Sequence, residues 1–183
     1  MNRKKISREL WKVDRRRIDL LPFYTRLAAC LQQCCPIIAD DLSQFLIKDF
    51  RYHLKKKDQV HNEVKIKNAR YIGEVTKFGL IDRGQGKKVE MCKVAFFQNV
   101  NLLQATTCFK ILVLDFSIGA IEMICGLLES CGRFLYRNAD SHQKTKLLLD
   151  QLKKKKQAKA LDARLNSQVG QKIFVQFSNT NMF

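Results

Sequence analysis

Residues 50–78 read FRYHLKKKDQVHNEVKIKNARYIGEVTKF, and this stretch decides the fold. Apolar residues recur in it every three or four positions, which is the period of an amphipathic helix and not the alternation of a strand. The stretch therefore predicts two helices that meet in a turn at positions 58–59. The second helix is expected to begin near residue 60 and to bury a stripe formed by Val60, Val64, Ile72, Val75 and Phe78.

The same period continues on both sides of this stretch. It predicts further helices that each bury one face, because residues three and four positions apart lie on one side of a helix. In chain order, the predicted stripes are Leu21, Tyr24, Leu27, Ala28 and Leu31; Ile38, Leu42, Phe45, Leu46, Phe50 and Leu54; Ile121, Ile124, Cys125, Leu128, Cys131 and Leu135; and Leu148, Leu152, Leu161 and Leu165.

Residues that favour helix ends separate these stripes from one another. Their side chains or backbone conformations satisfy the polar groups that a helix leaves unpaired at its ends. The predicted end signals are Asp19 as an N-cap with Pro22 in the first turn, Pro36 at the start of the next helix, Gly79 as a C-cap, Ser117 as an N-cap, and Asp140 with Gln143 as a capping box.

These patterns predict an all-α protein, a HEAT-like stack of antiparallel helical hairpins (an α-solenoid), because one hairpin alone cannot bury its apolar face. Only two prolines and eight glycines occur in 183 residues, which favours five or six long helices over a turn-rich β fold. A compact bundle is the alternative architecture. We expect a basic lead-in at 1–14, a single helical-repeat domain at 15–169 with an atypical insert at 82–104, and a frayed tail at 170–183.

The formal net charge of +17 is concentrated in three segments, 1–17, 48–70 and 144–164, and the rest of the chain is neutral overall. Clustered cations attract a polyanionic or acidic partner, whereas a solvated basic face is the simpler explanation for any one lysine run. The candidate contacts to RNA or to an acidic partner are Arg15, Arg16, Arg17, Lys55, Lys56, Lys57, Lys153, Lys154, Lys155 and Lys156.

Direct RNA binding would combine these cations with exposed aromatic rings. Phe50 and Tyr52 lie beside the lysines at 55–57, and Phe134 and Tyr136 lie near Arg133 and Arg137. Aromatic residues at helical spacing more often belong to the core, and no RNA-recognition or KH signature is present. RNA contacts of this chain are therefore expected to be made to phosphates and to tolerate any sequence.

Catalytic and metal-binding signatures are not found in the sequence. The Gly86-Lys87 pair lacks the Gly at position 81 and the Ser or Thr at position 88 that a phosphate-binding loop requires. The seven cysteines form no C-x-x-C pair, and the three histidines do not have zinc-site spacing. We predict reduced thiols, no metal, no cofactor and no enzymatic activity; a thiol enzyme using Cys34 or Cys35 is the competing class.

The N-terminus is charged and has no apolar signal region, and no apolar run is long enough to span a bilayer. These two observations predict a protein without membrane contacts. We expect a cytoplasmic location, with a perinuclear or partly nuclear location as its variant.

Four segments together resemble one family. They are RRRIDLLPFYTRLAACL (15–31), FRYHLKKKDQVHNEVKIKNARYIGEVTKFG (50–79), LDFSIGAIEMICGLLESCGRFLYR (114–137) and SHQKTKLLLDQLKKKKQAKALDAR (141–164). They resemble the regulator of nonsense transcripts 2 family, the second up-frameshift factors of nonsense-mediated mRNA decay. Within that family the resemblance is to the second domain of the type named after the middle portion of eukaryotic initiation factor 4G, and it covers about residues 9–169 except 82–104.

The resemblance implies an all-α stack of HEAT-like hairpins that acts as a non-enzymatic scaffold in mRNA surveillance. It implies other decay proteins as partners, namely up-frameshift factors and their associated kinase. In the family a third domain contacts the partner with an RNA-recognition fold, and a C-terminal tail binds the helicase. Neither region resembles this chain, so no partner-binding residue of the family transfers to it.

Two segments depart from the family pattern. The insert at 82–104 is longer than the family's connection, and it is either a lineage-specific loop or an artefact of the gene model such as a retained intron. The final residues, GQKIFVQFSNTNMF, also leave the pattern. We therefore expect this chain to be a fragment or a truncated relative.

Overall fold

The computed structural model describes residues 3–56, 61–80 and 103–158, and these ranges form seven α-helices and one 3-10 turn. The predicted all-α class is confirmed, and no strand occurs within these ranges. The helices are α1 (Arg3–Trp11), α2 (Leu21–Cys34), α3 (Pro36–Lys55), α4 (Asn62–Lys77), α5 (Leu103–Asp115), α6 (Ile118–Arg137) and α7 (Ala139–Ala158), with the 3-10 turn at Ile18–Leu20 before α2.

The helices pack as a two-layer stack of hairpins, as the hydrophobic pattern predicts. Helices that follow one another in the chain pack together from α2 through α4 and from α5 through α7. Helices two apart also pack, so that α2, α4 and α6 form one layer and α1 with α3, and α5 with α7, lie in the other. Alternation between layers makes the helices within the α2–α4–α6 layer parallel.

The centre of the stack is the contact between α4 and α6. Asn62 pairs with Glu122 near the two N-terminal ends, and Arg70 pairs with Glu129 further along. A Cβ added at Gly73 would overlap the Ser130 hydroxyl and lie 3.0 Å from Ser130 Cβ. The missing side chain of this glycine therefore lets the two helices approach closely.

The first helix extends the stack beyond the five or six predicted helices. Leu10 and Val13 are buried, and α1 packs along α3. Two side chains of α4 donate to backbone carbonyls of this segment: the Tyr71 hydroxyl to Leu10 O at 2.8 Å and Lys67 Nζ to Val13 O at 3.2 Å. The boundary at residue 14 stays a prediction, and residues 3–13 contribute to the core.

Three of the predicted helix ends are confirmed. Pro36 is the first residue of α3. Gly79 has φ +65°, and the bonds Leu80 N–H to Val75 O and Gly79 N–H to Thr76 O complete a Schellman motif. Ser117 accepts a hydrogen bond from the Ala120 amide at the start of α6.

The prediction that Asp19 caps α2 is wrong. Leu20 occupies the N-cap position, with no capping hydrogen bond from a side chain, and Pro22 lies in the first turn as expected. The Asp19 carboxylate instead accepts two hydrogen bonds from Arg17, both of 3.2 Å. A nearby guanidinium offers a carboxylate two charge-assisted hydrogen bonds, which a capping role does not supply.

The predicted core stripe is confirmed on α6, and on α3 for every residue named except Phe45. Phe45 is half-buried, with its ring centre 6.2 Å from that of Trp11. The stripes on α2 and α4 contain errors. Leu27 is exposed, Phe78 is exposed, and Val64 is half-buried. On α4 the buried set includes Lys65, Lys67, Asn68 and Glu74, because neighbours surround this helix on several sides.

Several predictions fall outside the described residues. They concern the turn at 58–59, the residues Lys57, Val60, Leu161 and Leu165, the insert up to residue 102, and the tail at 170–183. The side chains of Asp140 and Lys156 are likewise outside the description, although both residues belong to α7. None of the described helices is both long enough and apolar enough to cross a lipid bilayer.

Candidate functional site

The arginines at 15–17 follow α1 and lie next to the start of α4. Arg15 Nε is 3.5 Å from Glu63 Oε2, and both side chains are largely exposed. The hydrogen bonds from Arg17 are the main cause that lowers the pKa of Asp19, and the same pairing raises the pKa of Arg17. Arg16 forms no ion pair with any described residue, so its guanidinium is the one in this trio left for a partner.

The lysines at the end of α3 differ in their surroundings. Lys55 is exposed in the last turn, where the helix macrodipole favours a cation. Lys56 Nζ lies 4.4 Å from the centre of the Tyr52 ring, and the Lys56 carbonyl accepts a hydrogen bond of 2.6 Å from Lys65 Nζ. Lys65 itself is buried. Lys65 therefore ties α4 to the end of α3, and Lys55 is left to solvent.

Lys155 on α7 has a structural role. Its Nζ donates to Val113 O at 2.8 Å and to Leu114 O at 3.1 Å, and lies 5.7 Å from the centre of the Phe116 ring. These carbonyls belong to the last turn of α5, which cannot satisfy them internally. Phe116 has φ +44° there, so α5 ends without the glycine that usually occupies such a position. Lys155 replaces part of that missing cap.

The other described lysines of this run are exposed. Lys153 Nζ lies 3.9 Å from Asp150 Oδ1, which is a weak surface pair. Lys154 has no ion pair with a described residue. The assignment of Lys153, Lys154 and Lys155 as partner contacts stays a prediction, and the geometry favours Lys154 over Lys155 for that role.

The basic residues that follow α1 and those at the C-terminal ends of α3 and α7 lie on one edge of the stack. The C-terminal ends of α3, α5 and α7 share this edge with the N-terminal ends of α2, α4 and α6, because the two layers run in opposite directions. The sequence separates these segments by tens of residues, and the hairpin topology brings them together. We call this surface the basic edge and define it by Arg15, Arg16, Arg17, Lys55, Lys56, Lys153 and Lys154.

A polar cluster behind the basic edge holds α3 to α4. Asp49 accepts a hydrogen bond of 2.6 Å from Asn68 and lies 3.3 Å from His53 Nε2. Burial lowers the pKa of His53, and the Asp49 carboxylate opposes that shift. Burial also lowers the pKa of Lys67, with Asp49 again opposing it. This part of segment 48–70 is internal, so its lysines are not all available to a partner.

The chain is similar over most of its length to one known domain family and to several curated proteins. The model of the MIF4G domain family matches residues 2–176. The chain belongs to the MIF4G domain family. It is 48% identical over 163 residues to "Regulator of nonsense transcripts 2" of Mus musculus and equally to that of Homo sapiens, and 35% identical over 168 residues to "Regulator of nonsense transcripts UPF2" of Arabidopsis thaliana.

The matches cover 89% to 92% of this chain but only 11% to 13% of those relatives. The "Nonsense-mediated mRNA decay protein 2" of Schizosaccharomyces pombe is 28% identical over 160 residues, with similar coverage. The chain thus spans about a tenth of the length of its curated relatives. The resemblance stated from four sequence segments is confirmed.

The RYIGEVTKF string lies at the centre of this MIF4G domain. Tyr71, Ile72, Gly73 and Val75 are buried between the two layers, and Gly73 makes the close approach to α6. The string is therefore accounted for by packing, and it does not mark a surface that meets a partner.

The cysteines and histidines of the MIF4G domain form no cluster suited to a metal ion within 3–56, 61–80 and 103–158. Burial raises the pKa of Cys108 and Cys131 to about 12, so both thiols stay protonated at neutral pH. Cys30 and Cys34 are exposed on α2. Packing roles are therefore indicated for Cys108 and Cys131, and the competing assignment of Cys34 or Cys35 as a nucleophile stays a prediction.

Proposed function

We propose that this MIF4G domain is a non-enzymatic scaffold segment of the nonsense-mediated mRNA decay surveillance complex. The observation that carries the proposal is the 48% identity over 89% of the chain to proteins named regulator of nonsense transcripts 2. Identity at this level along nearly the whole chain supports the same fold and comparable surfaces.

The geometry fits a scaffold. A stack of hairpins offers two long faces and two edges while its core stays closed, which suits contacts with several proteins at once. The partners we propose are other nonsense-mediated decay proteins, namely up-frameshift factors and their associated kinase. The location we propose is cytoplasmic, with a perinuclear or partly nuclear fraction.

The scaffold role is tested by affinity capture with the whole chain. The tagged chain is incubated with a eukaryotic extract treated with ribonuclease, and the bound proteins are identified by mass spectrometry. We expect enrichment of decay factors over a matched control in which Leu46, buried on α3, is replaced by Asp to disrupt the core. Equal recovery with the folded chain and with Leu46→Asp would refute the proposal.

Sequence-tolerant RNA binding is the second candidate function, and the observation that favours it is the convergence of the basic segments on one edge. Phosphate contacts release counterions, so affinity for single-stranded RNA would fall steeply as salt is raised. Arg16→Gln with Lys154→Gln removes two basic-edge cations that form no described ion pair. Each lost contact is expected to reduce the salt slope by about one.

Lys144 provides the matched control for this experiment. It is exposed on α7 but lies near the N-terminal end of that helix, away from the basic edge. Lys144→Gln removes one positive charge, as Arg16→Gln and Lys154→Gln each do, and it should leave the salt slope unchanged. RNA binding that is negligible at low salt, or that falls equally in both variants, would remove this candidate.

A further inference from the structure

The outward face of α2 is an apolar stripe without a described neighbour. Phe23 is 69% exposed and Leu27 is 51% exposed, and the thiols of Cys30 and Cys34 are exposed on the same side. These residues follow one another at spacings of four, three and four, so they form a single line about 16 Å long on the helix. We call these four residues the α2 stripe.

The place of α2 in the fold indicates what kind of element fits this stripe. Helix α2 is the first member of the layer that continues through α4 and α6, and it packs on α3, α4 and the 3-10 turn. Within this layer α4 is flanked by α2 and α6. A helix laid along α2 would continue the same packing, because side chains at this spacing form a ridge for another helix.

The charge around the stripe indicates which helix fits. The α2 sequence LPFYTRLAACLQQC contains no acidic residue, and its one cation, Arg26, is one turn from both Phe23 and Cys30. Arg26 and Arg16 form no ion pair with described residues. A second copy of this chain would bring the same cations together, so like-charge repulsion disfavours it. An acidic helix is favoured instead.

We propose that the α2 stripe is the docking site for an acidic amphipathic helix of a partner protein. Phe23 and Leu27 are the anchors, and Arg26 pairs with a carboxylate beside the partner's apolar face. The inference deepens the scaffold proposal and rests on it for its role in the cell. The binding itself depends only on the surface of α2.

The test measures binding of the whole purified chain to two labelled peptides by fluorescence anisotropy. Both are about 18 residues long, which allows helix formation, with leucines at helical spacing; one carries flanking glutamates and the other flanking lysines. We expect the glutamate peptide to bind at least about ten-fold more tightly. Leu27→Glu should weaken its binding by about ten-fold or more, and Arg26→Glu should reverse the preference between the peptides.

Leu147 provides the matched control. It is 64% exposed on α7, so Leu147→Glu makes the same chemical change outside the stripe and should bind like the original chain. Circular dichroism confirms the fold of each variant. Failure of the glutamate peptide to bind, equal effects of Leu27→Glu and Leu147→Glu, or displacement of the peptide by single-stranded RNA would overturn the proposal.

Affinity capture separates this inference from the scaffold role. Loss of decay factors with Leu27→Glu, but not with Leu147→Glu, would support both. Full recovery of decay factors with Leu27→Glu would overturn the α2 stripe as their docking site and leave the scaffold role standing. Peptide binding by a chain that captures no decay factor would support the stripe and refute the scaffold.

Discussion

Replacing Gly73 by Ala tests the packing at the centre of the stack. The new Cβ would overlap the Ser130 hydroxyl and lie 3.0 Å from Ser130 Cβ and 3.2 Å from Cys131 Sγ. The hydroxyl can rotate only by giving up its hydrogen bond of 2.9 Å to Leu127 O, Ser130 Cβ is fixed by the backbone of α6, and Cys131 is buried, so the helices must separate. Overpacking of this kind costs about 1–3 kcal/mol, and the better helix propensity of Ala returns up to about 1 kcal/mol.

We therefore expect Gly73→Ala to lower the free energy of unfolding by about 1–2 kcal/mol, which lowers Tm by about 2–8 °C in a chain of this size. Urea unfolding followed by circular dichroism measures the change. Combining it with Ser130→Ala should restore part of the loss, because the overlapping hydroxyl is removed; this coupling is measured by a double-mutant cycle.

Gly126 on α6 is the control for this prediction. A Cβ there would meet the Arg70 and Ile66 side chains at 3.3 Å, and these flexible groups can shift by a few tenths of an ångström. Gly126→Ala should change stability by less than about 1 kcal/mol. A neutral or stabilising Gly73→Ala, or a loss equal to that of Gly126→Ala, would show that α4 and α6 do not approach as described.

Three further predictions concern pH and individual hydrogen bonds. Burial lowers the folded-state pKa of His53, so the unfolded chain binds more protons below a pH of about 6.5. The contribution of His53 to the free energy of unfolding should be present above that pH and lost as the pH falls. Urea unfolding between pH 7.5 and 5.5, in steps of about one unit, measures this loss, and His53→Gln should make the free energy of unfolding depend less on pH. An unchanged slope of free energy against pH in His53→Gln would contradict this expectation. Lys155→Met should cost about 1–2 kcal/mol in thermal unfolding by uncapping α5, whereas Lys154→Met should be neutral; equal effects would exclude the cap. Tyr71→Phe should cost about 1–2 kcal/mol in chemical denaturation because it leaves a buried carbonyl of α1 unpaired, with exposed Tyr52→Phe as the control; a neutral Tyr71→Phe would show that the carbonyl finds another donor.

Features set by neighbouring residues were predictable from the sequence. The cap at Ser117 and the Schellman motif at Gly79 depend on a few adjacent residues, and both are confirmed. The apolar stripe of α6 was equally clear, because it repeats over five turns and carries no competing charge. The class and the hairpin stack follow from such local signals.

Features set by the number of surrounding helices could not be predicted. The burial of Lys65 and Lys67 depends on backbone carbonyls at Lys56 and Val13, which accept their ammonium hydrogens. The sequence alone does not show whether the ammonium group of a lysine has such an acceptor in the fold. Leu27 shows the reverse case, because its helical spacing indicates burial but α2 lies at the end of its layer.

The candidate site was predictable in composition but not in arrangement. The sequence identified the three basic segments, while the topology placed the basic residues after α1 and at the C-terminal ends of α3 and α7 on one edge. The fold also places Lys155 against the end of α5 and Arg15 beside Glu63, and no single segment of the sequence could show these two contacts. Leu27 of the α2 stripe was predicted as core, because periodicity alone does not distinguish a buried face from a docking face.

The close contact between α4 and α6, which we call the seam, has a mechanical consequence. A slide of one helix past the other by a single turn would move Ser130 out from above Gly73 and push a larger residue of α4 against α6. The pairs Asn62–Glu122 and Arg70–Glu129 would break in the same step. The seam therefore resists shear, so a force applied at the α2 end would be carried to α7 as a movement of the whole stack.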